Sequence, residues 1–235
     1  MIFKPLILSL EGNIGSGKST MLENLQKKMK EHNNIIFLKE PLDVWESIKD
    51  SDGENILKKF YKDPKKYAFS FQVMAYSTRL KLIKETIKAN PLCSAIICER
   101  SLEADRKIFA KMLFDDGILE DVEYQIYNTF CNEMSNVYGL DGMIYIETDP
   151  EICLERITKR SRQGEEGITL EYLQKCHNYH NNWLNKESLN GPILKINTNT
   201  DVAYNNLYNS LDPGTMWLCQ IEKFIDENIV MENVE

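Results

Sequence analysis

Residues 12–20 combine glycines, one lysine and hydroxyl side chains in a spacing that binds phosphate. The segment consists of Gly12, Asn13, Ile14, Gly15, Ser16, Gly17, Lys18, Ser19 and Thr20, which fits the pattern G-x-x-x-x-G-K-[ST]. Glycines let the backbone curve around phosphate oxygens, and the N–H groups at a helix N-terminus point toward them. Lys18 supplies a positive charge for the outer phosphates, and Ser19 offers a hydroxyl to Mg²⁺. The loop therefore predicts a nucleoside triphosphate site.

Two further apolar runs end in charged residues. Residues 35–39 predict a strand that ends at Glu40, and residues 94–98 predict another that ends at Glu99 and Arg100. Ligands of open α/β sheets bind at the carboxyl ends of the strands, so these side chains should meet the phosphate loop. Phosphoryl transfer needs this combination of a cradle, a metal, a group that orients the acceptor and cations on the transferred group.

Each of these charged side chains has a candidate role. Glu40 could act as general base on an acceptor hydroxyl, and the alternative is a solvated carboxylate at a strand end. Glu99 could hold Mg²⁺ together with Ser19. Arg100 could contact the acceptor oxygen or the phosphoryl group, and with Lys18 it would stabilise the charge of the transfer.

Three arginines near the middle of the second half predict a lid. Arg156, Arg160 and Arg162 lead into a loop that contains two glycines, at residues 164–167. Guanidinium groups bind phosphates in a bidentate manner, and such loops often close over a substrate. We expect a lid over about residues 156–168, with a solvated basic helix face as the alternative.

The order of apolar and polar runs predicts a single α/β domain over residues 1–235. Strands that alternate with helices form parallel sheets covered on both faces. We predict five strands, at residues 5–10, 35–39, 94–98, 142–146 and 192–196. We predict helices at residues 20–30, 42–48, 56–61, 63–89, 102–113, 120–138, 169–186 and 216–229, and one that begins after Asp149-Pro150.

Composition narrows the class of partner. The formal net charge of −8 argues against nucleic acid as a partner. No apolar run approaches the roughly 20 residues of a membrane span, and the first strand begins too early for a signal peptide. The six cysteines form no C-x-x-C pair, which favours buried free thiols in a reducing cytoplasm. His177 and His180 have no third ligand at a metal-site spacing, so structural histidines are favoured.

The motifs together resemble the deoxynucleoside kinases, the family of deoxycytidine, deoxyguanosine and mitochondrial-type thymidine kinases. The resemblance extends from about residue 6 to about residue 225. It rests on the segments EGNIGSGKST (11–20), EPLDVW (40–45), FSFQ (69–72), ERS (99–101), DR (105–106), RITKRSR (156–162) and GITLEYL (167–173). It implies a P-loop nucleoside-kinase fold with an arginine-rich lid, ATP and Mg²⁺, and a homodimer.

The resemblance also assigns roles to individual residues. It implies that Glu40 is the base on the 5′-hydroxyl beside Arg100, and that Glu99 is the carboxylate near Mg²⁺. It implies that Gln72 bonds the edge of the nucleobase, and that Tyr61 and Glu165 hold the 3′-hydroxyl. It further implies an aromatic enclosure of base and sugar formed by Trp45, Phe71 and Phe109. The alternative for each aromatic residue is a place in the core.

The base preference follows from three positions of the same resemblance, Ala75, Arg79 and Asp105. An Arg–Asp pair is similar to the deoxycytidine and deoxyguanosine kinases, and an unfilled polar partner would be costly. We therefore predict deoxycytidine and purine deoxynucleosides over thymidine.

Four alternatives stay open at this point. The chain could be a thymidine kinase of the same family or a thymidylate-type monophosphate kinase, although Glu40 would repel a charged acceptor. It could be an inactive relative, although no catalytic position is lost. A GTP-binding switch is the fourth, but the Asp-x-x-Gly sequence at 50–53 follows a helical segment and residues 185–188 lack the final aspartate.

Overall fold

A parallel sheet carries the predicted phosphate loop and the charged strand ends. The computed structural model describes residues 4–135, 137–162, 164–185, 191–209 and 211–232. Within these residues the sheet has five strands in the order β2-β3-β1-β4-β5. They are β1 (Leu6–Gly12), β2 (Ile35–Leu38), β3 (Ala95–Glu99), β4 (Gly142–Glu147) and β5 (Ile193–Asn197). The predicted α/β class and five-stranded parallel sheet are confirmed.

Helices connect the strands and lie on both sides of the sheet. They are α1 (Lys18–Lys28), α2 (Leu42–Ser47), α3 (Ile56–Lys62), α4 (Pro64–Ala89), α5 (Leu102–Ala104), α6 (Lys111–Asp115), α7 (Asp121–Ser135), α8 (Pro150–Arg160), α9 (Leu170–Leu184) and α10 (Pro213–Glu232). The longest, α4, begins where the sequence predicts because Pro64 occupies its first turn and the Asp63 side chain accepts a hydrogen bond from the Lys66 amide.

Apolar clusters cover the sheet on both faces, which explains why its strands are predominantly apolar in sequence. Every residue of β1 is buried. On one face, Leu8 and Leu10 pack with Leu25 of α1 and Ile221 of α10. On the other face, residues of α4 and α7 pack against β3. Since β1 lies between β3 and β4, the phosphate loop and the Glu99-Arg100 turn emerge side by side.

The prediction that residues 102–113 are helical is confirmed, but the segment is not α-helical throughout. The segment consists of α5, a π-helix over Asp105–Ala110, and α6. A π-helix has i→i+5 hydrogen bonds, and the spacing of apolar residues gives no signal for such an insertion. This π-helix carries two of the predicted site residues, Asp105 and Phe109.

Some predicted features fall outside the described residues. Gln163 of the predicted lid and residues 186–188 of the segment weighed against GTP-binding switches are among them. No helix in the part of the chain that the structure describes is both long enough and apolar enough to cross a membrane.

Candidate active site

The phosphate loop turns between β1 and α1 in a conformation that only glycine tolerates at two points. Gly12 has φ +150°, and a Cβ there would lie 2.6 Å from the Ile146 carbonyl oxygen. Gly15 has φ +82°, and a Cβ there would lie 2.5 Å from the Cys153 carbonyl oxygen. The loop therefore packs directly on β4 and α8, with no space for a larger residue at either position.

Hydrogen bonds from the side chains of Lys18 and Asn13 hold the conformation of this loop. The Lys18 ammonium donates hydrogen bonds to the carbonyls of Gly12 at 3.1 Å and Asn13 at 2.7 Å. Burial and then the charge of Arg100 lower the pKa of Lys18 to about 8, against the opposing effect of nearby carboxylates. The Asn13 amide donates to the Leu173 carbonyl at 2.8 Å. A buried lysine at the start of a helix is the arrangement expected of a phosphate site.

A cavity of about 250 Å³ opens in front of the loop. It brings together most of the predicted donor, acceptor and lid residues. Its lining consists of Ile14, Gly15, Gly17, Lys18, Ser19, Thr20, Glu40, Leu42, Trp45, Leu57, Phe60, Tyr61, Phe71, Gln72, Ala75, Glu99, Arg100, Asp105, Phe109, Arg160, Arg162, Glu165 and Tyr172. Five predicted residues are not part of this lining: Gly12, Asn13, Ser16, Arg79 and Arg156.

Glu40 lies at the end of β2 against two guanidinium groups. Its Oε1 is 2.9 Å from Nη2 of Arg79 and 3.6 Å from Nε of Arg100. Burial raises the pKa of Glu40, but the charges of Arg79, Arg100 and Lys18 outweigh it, and the net pKa is below the ordinary value. Glu40 is therefore ionised at neutral pH and can accept a hydrogen bond from a neutral hydroxyl.

Arg79 is buried and has a partner for each of its nitrogen atoms. Its Nε donates to Oδ2 of Asp105 at 2.9 Å, its Nη1 to the Glu99 carbonyl at 2.8 Å, and its Nη2 to Glu40. Asp105 lines the cavity, whereas Arg79 does not. The Asp105 carboxylate therefore faces the cavity, and Arg79 holds it in place from the protein side.

Arg100 begins the turn after β3 in an unusual backbone conformation. Its φ is +68°, in the left-handed region that a non-glycine residue rarely adopts. Its guanidinium carbon lies 4.6 Å from the centre of the Phe109 ring, a cation–π contact. Its Nη1 is buried without a hydrogen-bond partner among the described residues. A free donor of this kind, held in a strained conformation, is suited to an anionic or hydroxyl ligand.

Ser19 and Glu99, the two residues predicted to bind Mg²⁺, are hydrogen-bonded to each other. The Ser19 hydroxyl donates to Oε1 of Glu99 at 2.5 Å, and the Glu40 amide donates to Oε2 at 3.4 Å. Among the described residues, no group of three or more acidic, histidine or cysteine side chains could hold a metal. One carboxylate and one hydroxyl nevertheless fit Mg²⁺, which binds few protein ligands and completes its shell with phosphate and water.

Aromatic side chains form the far wall of the cavity. Trp45 and Phe71 meet edge to face with ring centres 5.6 Å apart, and Phe60 stacks on Phe71 at 4.6 Å. Gln72 is 3 % exposed, and its Oε1 has no hydrogen-bond partner in the described part of the chain. A buried amide oxygen beside flat aromatic surfaces can recognise the polar edge of a nucleobase.

Tyr61 lines the cavity together with Arg160, Arg162 and Glu165 of the predicted lid. Glu165 is buried, and it accepts two hydrogen bonds from Nη2 of Arg160, at 2.7 and 2.8 Å. Nη1 of Arg162 lies 3.4 Å from the same carboxylate. Burial, followed by the charge of Glu165, raises the pKa of Tyr61, so the phenol stays protonated. Tyr61 can donate and Glu165 can accept, as a sugar hydroxyl requires.

The third lid arginine lies apart from the other two. Arg156 donates to Asp201 at 2.8 Å and to the Thr198 carbonyl at 2.9 Å. Its Nη1 also lies 3.4 Å from the Ser16 carbonyl, on the back of the phosphate loop. The structure therefore places Arg160 and Arg162 on the cavity, whereas it places Arg156 beside the loop and the segment after β5.

The chain is similar to known proteins over most of its length. The family model described as deoxynucleoside kinase matches residues 8–212. The chain is 37% identical to a probable deoxycytidine kinase of fowlpox virus over 199 residues, which cover 83% of this chain and 79% of that protein. The chain belongs to the deoxynucleoside kinase family.

Relatives in animals match over a similar length. A mitochondrial deoxyguanosine kinase of Xenopus laevis is 34% identical over 229 residues, covering 85% of this chain and 83% of the relative. A deoxycytidine kinase of Homo sapiens is 32% identical over 231 residues, covering 87% of both chains. The resemblance drawn from the motifs is confirmed, and this deoxynucleoside kinase is an enzyme that uses ATP as phosphate donor.

The sequence gives little sign of three residues that shape the site of this deoxynucleoside kinase. Leu42 and Leu57 line the cavity, but as single apolar residues in short helices they cannot be told from core residues. Tyr172, in the first turn of α9, also lines it. Its position shortly after the predicted lid could have indicated this, because a residue there lies close to the ligand that a lid would cover.

Proposed function

We propose that this enzyme transfers the γ-phosphoryl group of ATP to the 5′-hydroxyl of a deoxynucleoside, giving the 5′-monophosphate for nucleotide salvage. The observation that carries the proposal is the position of Glu40 and Arg100, 3.6 Å apart, in the same cavity as Lys18 and Ser19. An ionised carboxylate beside an arginine suits a neutral hydroxyl acceptor, since it would repel an acceptor that already carries a phosphate.

Three residues that line the cavity would act directly in the transfer. Glu40 accepts the proton of the 5′-hydroxyl as the oxygen attacks phosphorus. Arg100, through its unpaired Nη1, stabilises the attacking oxygen or the phosphoryl group. Lys18 neutralises the outer phosphates of the donor.

The lid and the metal site complete the proposed donor site. Arg160 and Arg162 line the cavity and would contact the transferred group, and Arg156 would contact the donor from beside the loop. Ser19 and Glu99 would hold Mg²⁺, which when bound neutralises phosphate charge.

The proposed base preference is deoxycytidine and purine deoxynucleosides over thymidine. Gln72 offers a donor and an acceptor to the base edge, and Asp105 offers an acceptor to an amino group. Trp45, Phe71 and Phe109 would enclose base and sugar, and Tyr61 with Glu165 would hold the 3′-hydroxyl. The relatives named as deoxycytidine and deoxyguanosine kinases support this preference.

We also propose that the chain is a single domain that forms a homodimer. Large apolar side chains are exposed on α7 at a spacing of four residues, namely Val122, Ile126 and Phe130, with 65 %, 54 % and 37 % of their surface accessible. Such a stripe on one helix face is typical of an interface. A cytoplasmic location agrees with the cysteines, all six of which are free thiols.

The chemistry can be tested with one labelled substrate. With γ-labelled ATP and Mg²⁺, deoxycytidine should become labelled at its 5′-oxygen, and 5′-O-methyl-deoxycytidine should give no product while still competing for the site. Labelling of the 5′-blocked compound, or release of inorganic phosphate without any labelled nucleotide, would contradict the proposal.

A further inference from the structure

A buried carboxylate that the proposed mechanism does not use lies directly before the phosphate loop. Glu11 is in β1, and none of its surface is exposed. The rest of this strand up to Gly12 consists of apolar residues and Ser9. A carboxylate in such a position is costly unless it is hydrogen-bonded or paired, so its contacts indicate what it does.

Glu11 holds the turn that carries Arg100. Its Oε1 accepts a hydrogen bond from the Ser101 amide at 2.7 Å. The residue before it, Leu10, accepts a hydrogen bond from the Arg100 amide at 3.0 Å. Two consecutive residues of β1 therefore fix two consecutive amides of the turn in which Arg100 has its left-handed conformation.

The same turn leads to the base-recognition side of the cavity. The Ser101 hydroxyl accepts a hydrogen bond from the Ala104 amide at 3.1 Å, which caps α5. Asp105 follows directly at the start of the π-helix. The turn that Glu11 holds therefore connects Arg100 to the helical segment that carries Asp105.

Charge links Glu11 to Arg100 as well. Oε2 of Glu11 is buried without a hydrogen-bond partner among the residues described. Burial raises the pKa of Glu11, and the charge of Arg100 is the largest effect that opposes this. The opposite charges of the two groups therefore lower the cost of burying each of them.

We propose that Glu11 is a positioning residue for phosphoryl transfer, which fixes the Arg100-Ser101 turn so that the Arg100 guanidinium meets Glu40 and the acceptor. This inference rests on the proposed role of Arg100. Glu11 itself does not line the cavity, and its effect is exerted through Arg100.

A double-mutant cycle with Arg100 tests the proposal. Glu11→Gln keeps an oxygen for the Ser101 amide but removes the charge, and Glu11→Ala removes both. We expect the single-turnover rate of phosphoryl transfer to fall about 10-fold in the first variant and about 100-fold in the second. In an Arg100→Ala background, the same changes at Glu11 should alter the rate less than about 3-fold, because the group that Glu11 positions is gone.

The controls separate positioning from general loss of structure. Ile225→Ala removes a buried side chain of α10, in the core on the opposite side of β1 from the cavity helices. It should lower the melting temperature, and its effect on the rate should be the same with and without Arg100. ATP affinity of the Glu11 variants should stay within about 2-fold of the wild type. If Glu11→Ala does not fold, the cycle with Glu11→Gln decides.

Each outcome of the cycle has a distinct meaning. Rate losses that multiply in the Arg100→Ala background would overturn the positioning role while leaving the proposed function intact. Unchanged turnover of Arg100→Ala alone would instead remove the proposed role of Arg100, and with it the basis for assigning Glu11. Wild-type rates in both Glu11 variants would also overturn the inference.

Discussion

Nη2 of Arg79 lies 2.9 Å from Oε1 of Glu40, while Nε of the same guanidinium lies 2.9 Å from Oδ2 of Asp105. One buried cation thus joins the proposed general base to the proposed base-selecting carboxylate. Substitutions that change which nucleobase is accepted should therefore also change the rate of transfer, because they alter the charge around Glu40.

The pair formed by Arg79 and Asp105 should control base preference. The double variant Arg79→Met, Asp105→Ala removes both polar partners, and we expect the ratio of kcat/KM for thymidine to that for deoxycytidine to rise at least about 10-fold. The rate on every base should fall as well, since Glu40 loses a hydrogen bond. An unchanged ranking of the four deoxynucleosides would contradict the specificity argument.

The matched control for this pair is Asp105→Ala alone. It leaves the Arg79 charge buried with one carboxylate partner fewer, which costs about 3–5 kcal/mol when a buried pair is broken. We expect the single variant to melt at a lower temperature than the double variant. Equal melting temperatures of the two variants would contradict this expectation, because they would mean that Arg79 can be buried without Asp105 at little cost.

Glu40→Gln should remove the proton acceptor while keeping the shape of the site. We expect kcat to fall about 10²- to 10⁴-fold, with ATP affinity nearly unchanged. Glu46→Gln, at an exposed position on α2, is the matched control and should keep wild-type turnover. Wild-type kcat in the Glu40 variant would exclude Glu40 as the base.

Tyr61→Phe should weaken recognition of the 3′-hydroxyl alone. Loss of one neutral hydrogen bond costs about 0.5–1.5 kcal/mol, so kcat/KM for deoxycytidine should fall about 2- to 12-fold. With 2′,3′-dideoxycytidine, which lacks the hydroxyl, the variant and the wild type should be equal. A parallel loss on both compounds would point to a structural role for Tyr61.

His180 should make the fold sensitive to acid. It is fully buried, and burial with the charge of Arg100 lowers its pKa to about 3. Below pH 6.5 the unfolded chain binds a proton at this histidine that the folded chain does not bind. The free energy of unfolding therefore decreases by about 1.4 kcal/mol for each unit by which the pH is lowered.

Between pH 6.5 and 5 this loss amounts to roughly 2 kcal/mol. His180→Gln should abolish that part of the pH dependence in urea unfolding. Tyr145→Phe changes a ring 5.7 Å from the imidazole but leaves the histidine, and it should keep the wild-type slope. Identical slopes in His180→Gln and the wild type would contradict the prediction.

The exposed stripe on α7 should be the dimer contact. Ile126→Glu places a charge in the middle of the stripe, and sedimentation at micromolar concentration should then report a monomer. Met216→Glu, on an apolar residue of α10 that is 48 % exposed, should leave the dimer intact. A wild-type chain that sediments as a monomer would itself contradict the proposed homodimer.

Local signals were sufficient for the elements that position the site. Pro64 after Asp63 marks the start of α4, and Glu40, Glu99 and Arg100 follow apolar runs that form adjacent strands. Because parallel strands bring their carboxyl ends to one edge, spacing alone predicts that these residues approach the phosphate loop.

Features that depend on tertiary packing were not predictable. The π-helix over Asp105–Ala110 has no periodic signal. The left-handed conformation of Arg100 occurs in a turn whose Ser101 amide is bound by Glu11 of another strand, a contact that local sequence does not indicate. The pairing of Arg79 with Asp105 was predicted from the resemblance. The hydrogen bond from Arg79 to Glu40 was not, because these residues lie 39 positions apart in the chain. Arg156 shares a helix with Arg160, yet its partner Asp201 lies beyond β5.

The most direct test of the account is to compare deoxycytidine, deoxyadenosine, deoxyguanosine, thymidine and thymidylate as acceptors under one set of conditions with ATP and Mg²⁺. We expect 5′-monophosphate formation from deoxycytidine or the purine deoxynucleosides at higher kcat/KM than from thymidine, and no reaction with thymidylate. Phosphorylation of thymidylate alone would contradict it, because a site built around Glu40 should reject an acceptor that already carries a phosphate.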